Sequence, residues 1–158
     1  MNTDYLLQLA YQRLQADHND GAIDALRQLL ASDPHSAEAH ALLQSAPGAR
    51  LVDVRTRAEW DWVGRIPGSV EIEWNQYPGS VRNPNFLAEL KQRVDPEALV
   101  LFLCRSGVRS IGAATAATEI GYTNCYNILE GFEGDKDANG HRNNVGGWRK
   151  AGLPWIQG

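Results

Sequence analysis

Hydrophobic residues follow two patterns along the chain: short apolar or alternating runs, which are typical of strands, and a spacing of three and four residues, which is typical of helices. The continuous apolar run Leu99–Leu103 is too short for a helix of its own and is typical of a strand covered on both faces of a parallel sheet. The Ala-rich stretch 111–120 that follows favours a helix. Further strands are predicted at 50–55, at 70–74, where apolar residues alternate with Glu, and at 122–129. The alternation of predicted strands with predicted helices indicates an α/β fold: an open parallel sheet of about four to five strands with helices on both faces.

Capping residues and turn-forming residues locate the helices between these strands. Thr56 is a good N-cap and Glu59 stands three residues later, so we predict a capping box and a short helix over 57–62. A second helix is predicted over 85–94, after a loop rich in Pro, Gly and Asn. Gly121 is the expected end of the Ala-rich helix.

The first thirty-four residues have another pattern. Apolar residues recur three and four positions apart in 5–15 and again in 22–31, which predicts two amphipathic helices joined by a turn. We therefore divide the chain into a helical hairpin at 1–34 and an α/β domain at 35–158. A third helix, at 37–43, either closes the hairpin or opens the next domain; the pattern does not decide between them.

The N-terminal segments 19–26 and 33–39 resemble parts of one tetratricopeptide repeat, including a similar Asp-Pro at the end of its helix pair. A single repeat of this kind cannot bury its own apolar face. We therefore expect residues 1–34 to brace the neighbouring domain, which is the interpretation we favour, or to bind a protein partner or a second copy of the chain.

Composition and charge exclude several classes of protein. Of the 158 residues, 43% are hydrophobic and 22% are charged, which indicates a globular chain. A net charge of -4 without any basic run argues against a nucleic-acid partner. No apolar run approaches the length of a membrane span, and the start lacks the pattern of a signal peptide. With two cysteines in the chain, we expect a cytoplasmic protein with no membrane partner.

Cys104 is the strongest candidate for chemistry because it stands where the central apolar run ends. The loop that follows leads into a predicted helix N-terminus and carries two arginines, which together favour a reactive thiolate. Backbone N–H groups curled at a helix N-terminus bind anions. We therefore predict Cys104 as a nucleophile and the residues after it as a substrate-binding loop, made of Arg105, Ser106, Gly107, Val108, Arg109 and Ser110.

Four segments, taken in order, resemble the signatures of the rhodanese (thiosulfate sulfurtransferase) domain family over about 36–155. The segments are 51–55 with Glu59 and Trp60, the turn 64–69, the loop 104–110, and the closing residues 131–132 with 146–154. Two features depart from the family. Arg65 stands where its members usually have His, and the family's first short strand is not visible.

The resemblance implies a sulfurtransferase that forms a persulfide on Cys104. Its donor would be a small sulfur-containing anion, thiosulfate or a persulfide, and its acceptor a thiol or cyanide. Arg105 and Arg109 would add positive charge for the donor. We expect no cofactor. We also expect no metal site, because the four histidines show no ligand spacing with Cys, Asp or Glu.

Two other functions stay open. One is that of a sulfur carrier or scaffold module that recruits a partner through residues 1–34. A phosphatase or arsenate reductase is a more distant alternative. Four residues separate Cys104 from Arg109, whereas phosphatases of related fold have a longer loop whose Arg would fall at position 110, and that residue is Ser110. The shorter loop favours a sulfur atom over a phosphate.

Three further residues are interpreted as structural. Asp53 and Arg55 stand at a neighbouring strand end, where we expect a carboxylate and a guanidinium to fix adjacent loops at the rim of the site. Cys125 is either a resolving cysteine that releases the persulfide as a disulfide or an inert core thiol; we favour the second.

Overall fold

A computed structural model describes residues 33–158 of the chain. Nearly all of the helical hairpin predicted for 1–34 falls outside these residues, so the hairpin and its boundary with the α/β domain stay predictions. The two described residues before position 35 contact the domain: Asp33 accepts a hydrogen bond from the Asn127 backbone N–H (3.0 Å) and Pro34 O accepts one from Leu129 N (2.8 Å).

Helices and strands alternate through the described residues, as the sequence pattern predicts. The helices are α1 (Ser36–Ser45), α2 (Arg57–Trp62), α3 (Phe86–Arg93) and α4 (Arg109–Glu119). The strands are β1 (Arg50–Asp53), β2 (Val70–Glu71), β3 (Asn75–Gln76), β4 (Val81–Arg82), β5 (Leu99–Leu103) and β6 (Asn124–Asn127).

Four of the strands form one parallel sheet in the order β2-β1-β5-β6, which confirms the predicted α/β class. The strands β1 and β5 are central and in register through Asp53 and Leu103. On the other side of β5, Phe102 pairs with Asn127 of β6. The carboxyl ends of three strands therefore meet at one edge, which is where ligands bind in open α/β sheets.

The sheet is covered on both faces because its strands are apolar on both. Leu51, Leu101 and Leu103 face one core, which α1 and the C-terminal segment complete with Leu42 and Trp148. Neighbouring strand residues face a second core under α3 and α4. That second core consists of Val52, Val54, Val70, Ile72, Trp74, Phe86, Leu90, Val94, Val100, Phe102, Cys104, Ala113, Ala117 and Tyr122.

The strands predicted at 50–55, 70–74 and 122–129 are shorter in the structure, where they are Arg50–Asp53, Val70–Glu71 and Asn124–Asn127. The predicted strand 70–74 is regular only over Val70–Glu71, although its pattern persists: Ile72 and Trp74 are buried and their N–H groups still reach Asp53 O and Val54 O. The predicted loop 75–84 contains the antiparallel pair β3 and β4. The register of this pair continues one position further, where Asn83 N–H donates to Trp74 O (2.9 Å).

The capping box of α2 is present as predicted. Glu59 N–H donates to Thr56 Oγ1 (3.3 Å), and Glu59 Oε1 accepts from Thr56 N–H (3.2 Å). At the C-terminus, residues 148–152 form turns. Within residues 33–158, no helix has the length and apolar character needed to cross a bilayer.

Candidate active site

Cys104 directly follows the last residue of β5, and its side chain is 1% exposed. Its Sγ accepts two hydrogen bonds, from Gly107 N–H (3.1 Å) and from the Ser110 hydroxyl (3.2 Å). Gly107 has φ +94°, a conformation that glycine adopts without strain and that turns its N–H back toward the sulfur. The loop between β5 and α4 therefore closes around the sulfur atom with one backbone and one side-chain donor.

Asn127, at the carboxyl end of β6, holds both of these donors. Its Oδ1 is an alternative acceptor for the Ser110 hydroxyl, and its Nδ2 donates to Gly107 O (2.9 Å). Sequence reasoning did not single out Asn127. The available signal was its place near the end of the strand predicted at 122–129, which the structure pairs with the strand that precedes Cys104.

Arg109 is bound by a carboxylate that was predicted only as a helix cap. Its Nη1 and Nη2 donate to Glu59 Oε1 and Oε2 at 2.8 and 2.9 Å. Burial alone would raise the pKa of Glu59, but the hydrogen bonds and positive charge of Arg109 outweigh it and hold that pKa below its usual value. The pair ties the loop after Cys104 to the first turn of α2.

The other predicted loop residues lie on the outside of the turn. Arg105 and Val108 are exposed and Ser106 is half-buried. Of the six residues predicted to bind substrate, only Gly107 and Ser110 contact Sγ directly. Arg105, which directly follows Cys104, is exposed to solvent.

Asp53 and Arg55 form an ion pair beneath the loops. The carboxylate accepts from Arg55 Nη2 (2.7 Å) and Nε (3.0 Å), and Arg55 Nη2 also donates to Gly64 O (2.8 Å). The guanidinium lies 4.1 Å from the ring centre of Phe132. Both side chains are fully buried, so they support the loops from inside and do not form an exposed rim.

The turn after β6 packs directly on the backbone of the Cys104 loop. Phe132 N–H donates to Cys104 O (2.8 Å) and Glu133 N–H donates to Arg105 O (2.9 Å). Gly131 has φ +65°, and a Cβ there would lie 2.6 Å from the carbonyl carbon of Arg105. The glycine of the closing segment is therefore needed for this close approach.

Two remaining positions fit a structural role. Burial raises the pKa of the Cys125 thiol, although a hydrogen bond with Thr118 partly opposes this. Arg65, in place of the family's His, pairs with Asp61 (2.6 Å) and Glu71 (3.2 Å). Across residues 33–158, no three His, Cys, Asp or Glu side chains are grouped as metal ligands.

The fold and site together define a class of protein. A buried cysteine stands at the carboxyl end of a central parallel strand, in a short loop that leads into a helix. The model of the Rhodanese-like domain family matches residues 36–138, and the chain belongs to this family.

Individual relatives extend the comparison. An uncharacterized protein of Rickettsia conorii is 41% identical over 126 residues, 76% of this chain and 93% of the relative. The chloroplastic thiosulfate sulfurtransferase 16 of Arabidopsis thaliana is 30% identical over 118 residues, 73% of this chain and 85% of the relative. The crystal structure of Rv0390 from M. tuberculosis is 49% identical, with a TM-score of 0.74 over 81% of this chain and 98% of that one.

Proposed function

We propose that this protein is a sulfurtransferase that moves a sulfane sulfur from thiosulfate or a persulfide donor to a thiol or cyanide through a persulfide on Cys104. The observation that carries the proposal is the pair of donors, Gly107 N–H and Ser110 hydroxyl, that converge on Cys104 Sγ inside a short loop. Membership of the rhodanese-like family and the activity named for the Arabidopsis relative support it.

The first displacement loads the sulfur. The Cys104 thiolate attacks the outer sulfur of thiosulfate, a bond forms between Sγ and that sulfur, and the bond to the sulfonate sulfur breaks. The electron pair of the broken bond leaves with sulfite, so the charges balance and Cys104 becomes a persulfide anion. Sγ is itself uncharged in this intermediate, because the negative charge lies on the terminal sulfur.

The second displacement unloads the sulfur. An acceptor thiolate or cyanide attacks the terminal sulfur, and the bond between it and Sγ breaks. The electron pair returns to Sγ, which restores the thiolate and yields a persulfide or thiocyanate as product. No external oxidant or reductant is needed in either step.

The two arginines of the loop take different roles in this proposal. Arg105, which is exposed on this loop, supplies positive charge that attracts the anionic donor. Arg109 is engaged through Nη1 and Nη2 by Glu59, so it acts mainly by fixing the loop and contributes only its partly neutralised charge to donor binding.

The loop dimensions favour sulfur over phosphate as the group transferred. Ser110 stands at the position of the phosphatase arginine, and it is fully buried with its hydroxyl on Sγ instead of open to an oxyanion. A tetrahedral phosphate needs donors arranged around its oxygens. Here the Ser110 side chain contacts the Cys104 sulfur itself.

Formation of thiocyanate from thiosulfate and cyanide by the purified chain tests the proposal. Wild-type protein and Cys125→Ser should turn over, and Cys104→Ser should be inactive because it lacks the sulfur nucleophile. Full activity of Cys104→Ser would overturn the proposal. A phosphate ester assayed in parallel should be left intact; its efficient hydrolysis would favour the phosphatase alternative.

A further inference from the structure

The Ser110 hydroxyl lies between two acceptors but has a single hydrogen to give. It contacts Cys104 Sγ at 3.2 Å and is also hydrogen-bonded to Asn127 Oδ1. All three side chains are shielded from water: Cys104 is 1% exposed, Ser110 0% and Asn127 4%. The hydrogen can therefore serve only one of these two acceptors at a time.

The orientation of the Asn127 carboxamide follows from its other contact. Gly107 O, 2.9 Å away, is a carbonyl and can only accept, so the Asn127 nitrogen must face it. Oδ1 then faces Ser110 as an acceptor. Asn127 thus presents a fixed acceptor on the side of the hydroxyl opposite to the sulfur.

The proposed reaction changes what the hydroxyl meets at Sγ. When Sγ is a thiolate, the form that attacks the donor, the charge-assisted hydrogen bond from Ser110 is favoured. In the persulfide Sγ is uncharged and bonded to a second sulfur, so it is a weak acceptor. A hydroxyl without another acceptor would then leave its hydrogen unpaired in a buried site, which is costly.

We propose that Asn127 is a positioning residue that stabilises the persulfide form by accepting the Ser110 hydrogen when Sγ loses its charge. The hydroxyl donates to Sγ in the thiolate and turns to Asn127 Oδ1 in the persulfide. This inference rests on the proposed sulfurtransferase function and concerns the balance between the two enzyme forms.

Two substitutions have opposite expected effects on that balance. Asn127→Leu, close to Asn in size, removes the acceptor needed in the persulfide and shifts the loading equilibrium toward the free thiolate. Ser110→Ala removes the donor needed in the thiolate and shifts the equilibrium toward the persulfide. Each shift should be about tenfold to a hundredfold, the range expected for one buried hydrogen bond to or from a charged or unpaired group.

The experiment measures the fraction of Cys104 that carries one extra sulfur, by intact mass spectrometry, at fixed ratios of thiosulfate to sulfite. Full-length wild-type protein, Asn127→Leu, Ser110→Ala and their double variant are compared at equilibrium. Cys125→Ser is the matched control, because it changes a residue two positions earlier on the same strand. It should load at the wild-type ratio.

Opposite shifts in the two single variants, with the double variant equal to Ser110→Ala, support the inference, since without the hydroxyl there is no hydrogen for Asn127 to accept. General damage to the loop would lower sulfur loading in both single variants and would not produce opposite shifts. Overturning results are a wild-type ratio in Asn127→Leu, or an Asn127→Leu effect that persists unchanged in the Ser110→Ala background. If Asn127→Leu does not fold, a fall in loading of Ser110→Ala overturns the inference on its own.

A wild-type protein that takes no sulfur at any ratio refutes the proposed function, and the inference with it. That result differs from a wild-type protein that loads normally while its Asn127→Leu variant behaves identically, which refutes only the role of Asn127.

Discussion

Arg109 of the Cys104 loop and Glu59 of α2 form a bidentate ion pair, with Nη–Oε distances of 2.8 and 2.9 Å. The two residues are fifty positions apart in the sequence, so the pair joins the Cys104 loop to a different part of the sheet edge. Glu59 also closes the capping box with Thr56, which places its carboxylate independently of Arg109. The loop is therefore fixed against a preformed partner.

Glu59→Gln should loosen the loop and reduce the rate at which Cys104 is loaded by thiosulfate. The partly buried bidentate pair is expected to contribute about 1–2 kcal/mol to the free energy of unfolding. Asp61→Asn is the matched control, because Asp61 on the same helix pairs with Arg65 at an exposed position away from the loop. Denaturant unfolding and loading rates for both variants test this. Equal losses in the two variants would contradict a specific role for Glu59.

The same pair should make stability depend on pH. Because Arg109 holds the pKa of Glu59 below its usual value of 4.5, the unfolded chain binds this proton more readily than the folded chain. The stabilisation that the Glu59–Arg109 pair contributes is complete above about pH 4.5 and is lost as the pH falls through the lowered pKa of Glu59. The difference in unfolding free energy between wild type and Glu59→Gln should therefore be constant near neutral pH and shrink in acid. A difference that grows in acid would refute this account.

Gly131→Ala should be strongly destabilising. The residue has φ +65°, and an added Cβ would overlap the backbone of Cys104 and Arg105. We expect a loss of about 3 kcal/mol or more in unfolding free energy. Gly121→Ala is the control, because Gly121 also has a positive φ but has open space around it, so that only the backbone term of about 1–2 kcal/mol applies. Similar losses in both variants would show that the close approach at Gly131 is unimportant.

Cys125 should behave as an inert thiol. Burial raises its pKa and the Thr118 hydrogen bond offsets this only in part, so the thiol form predominates at neutral pH. Alkylation of Cys125 by iodoacetamide, followed by peptide mass spectrometry, should accelerate only at alkaline pH. Rapid alkylation at neutral pH, or a disulfide between Cys125 and Cys104 after sulfur loading, would instead indicate a resolving cysteine.

The class of fold could be predicted from the sequence because short-range patterns determine it. The strand Leu99–Leu103 and the capping box at Thr56 and Glu59 are determined by local residue types, and the structure confirms both predictions. The short strands β3 and β4 were missed, since each has only two residues and pairs only with the other. Strand length, in contrast to strand position, depends on where the neighbouring strand ends, as at Val70–Glu71.

The site was predicted only in part, for a related reason. Cys104 and its loop are contiguous in sequence, so their place at a strand end could be inferred. Glu59 and Asn127 reach the loop only through the fold, so the sequence predicts Glu59 as a capping residue but not its contact with Arg109, and it does not single out Asn127. The ion pair of Asp53 and Arg55 was expected from its place at a strand end, but its complete burial depends on the ring of Phe132, which comes from a distant segment.

The central claim is that Cys104 carries the transferred sulfur. Intact mass spectrometry after incubation with thiosulfate and removal of excess reagent tests it most directly, with Cys104→Ser and Cys125→Ser treated in parallel. We expect wild type and Cys125→Ser to gain the mass of one sulfur, which cyanide then removes, and Cys104→Ser to gain none. A sulfur adduct that persists in Cys104→Ser, or that is absent from the wild type, would contradict the account.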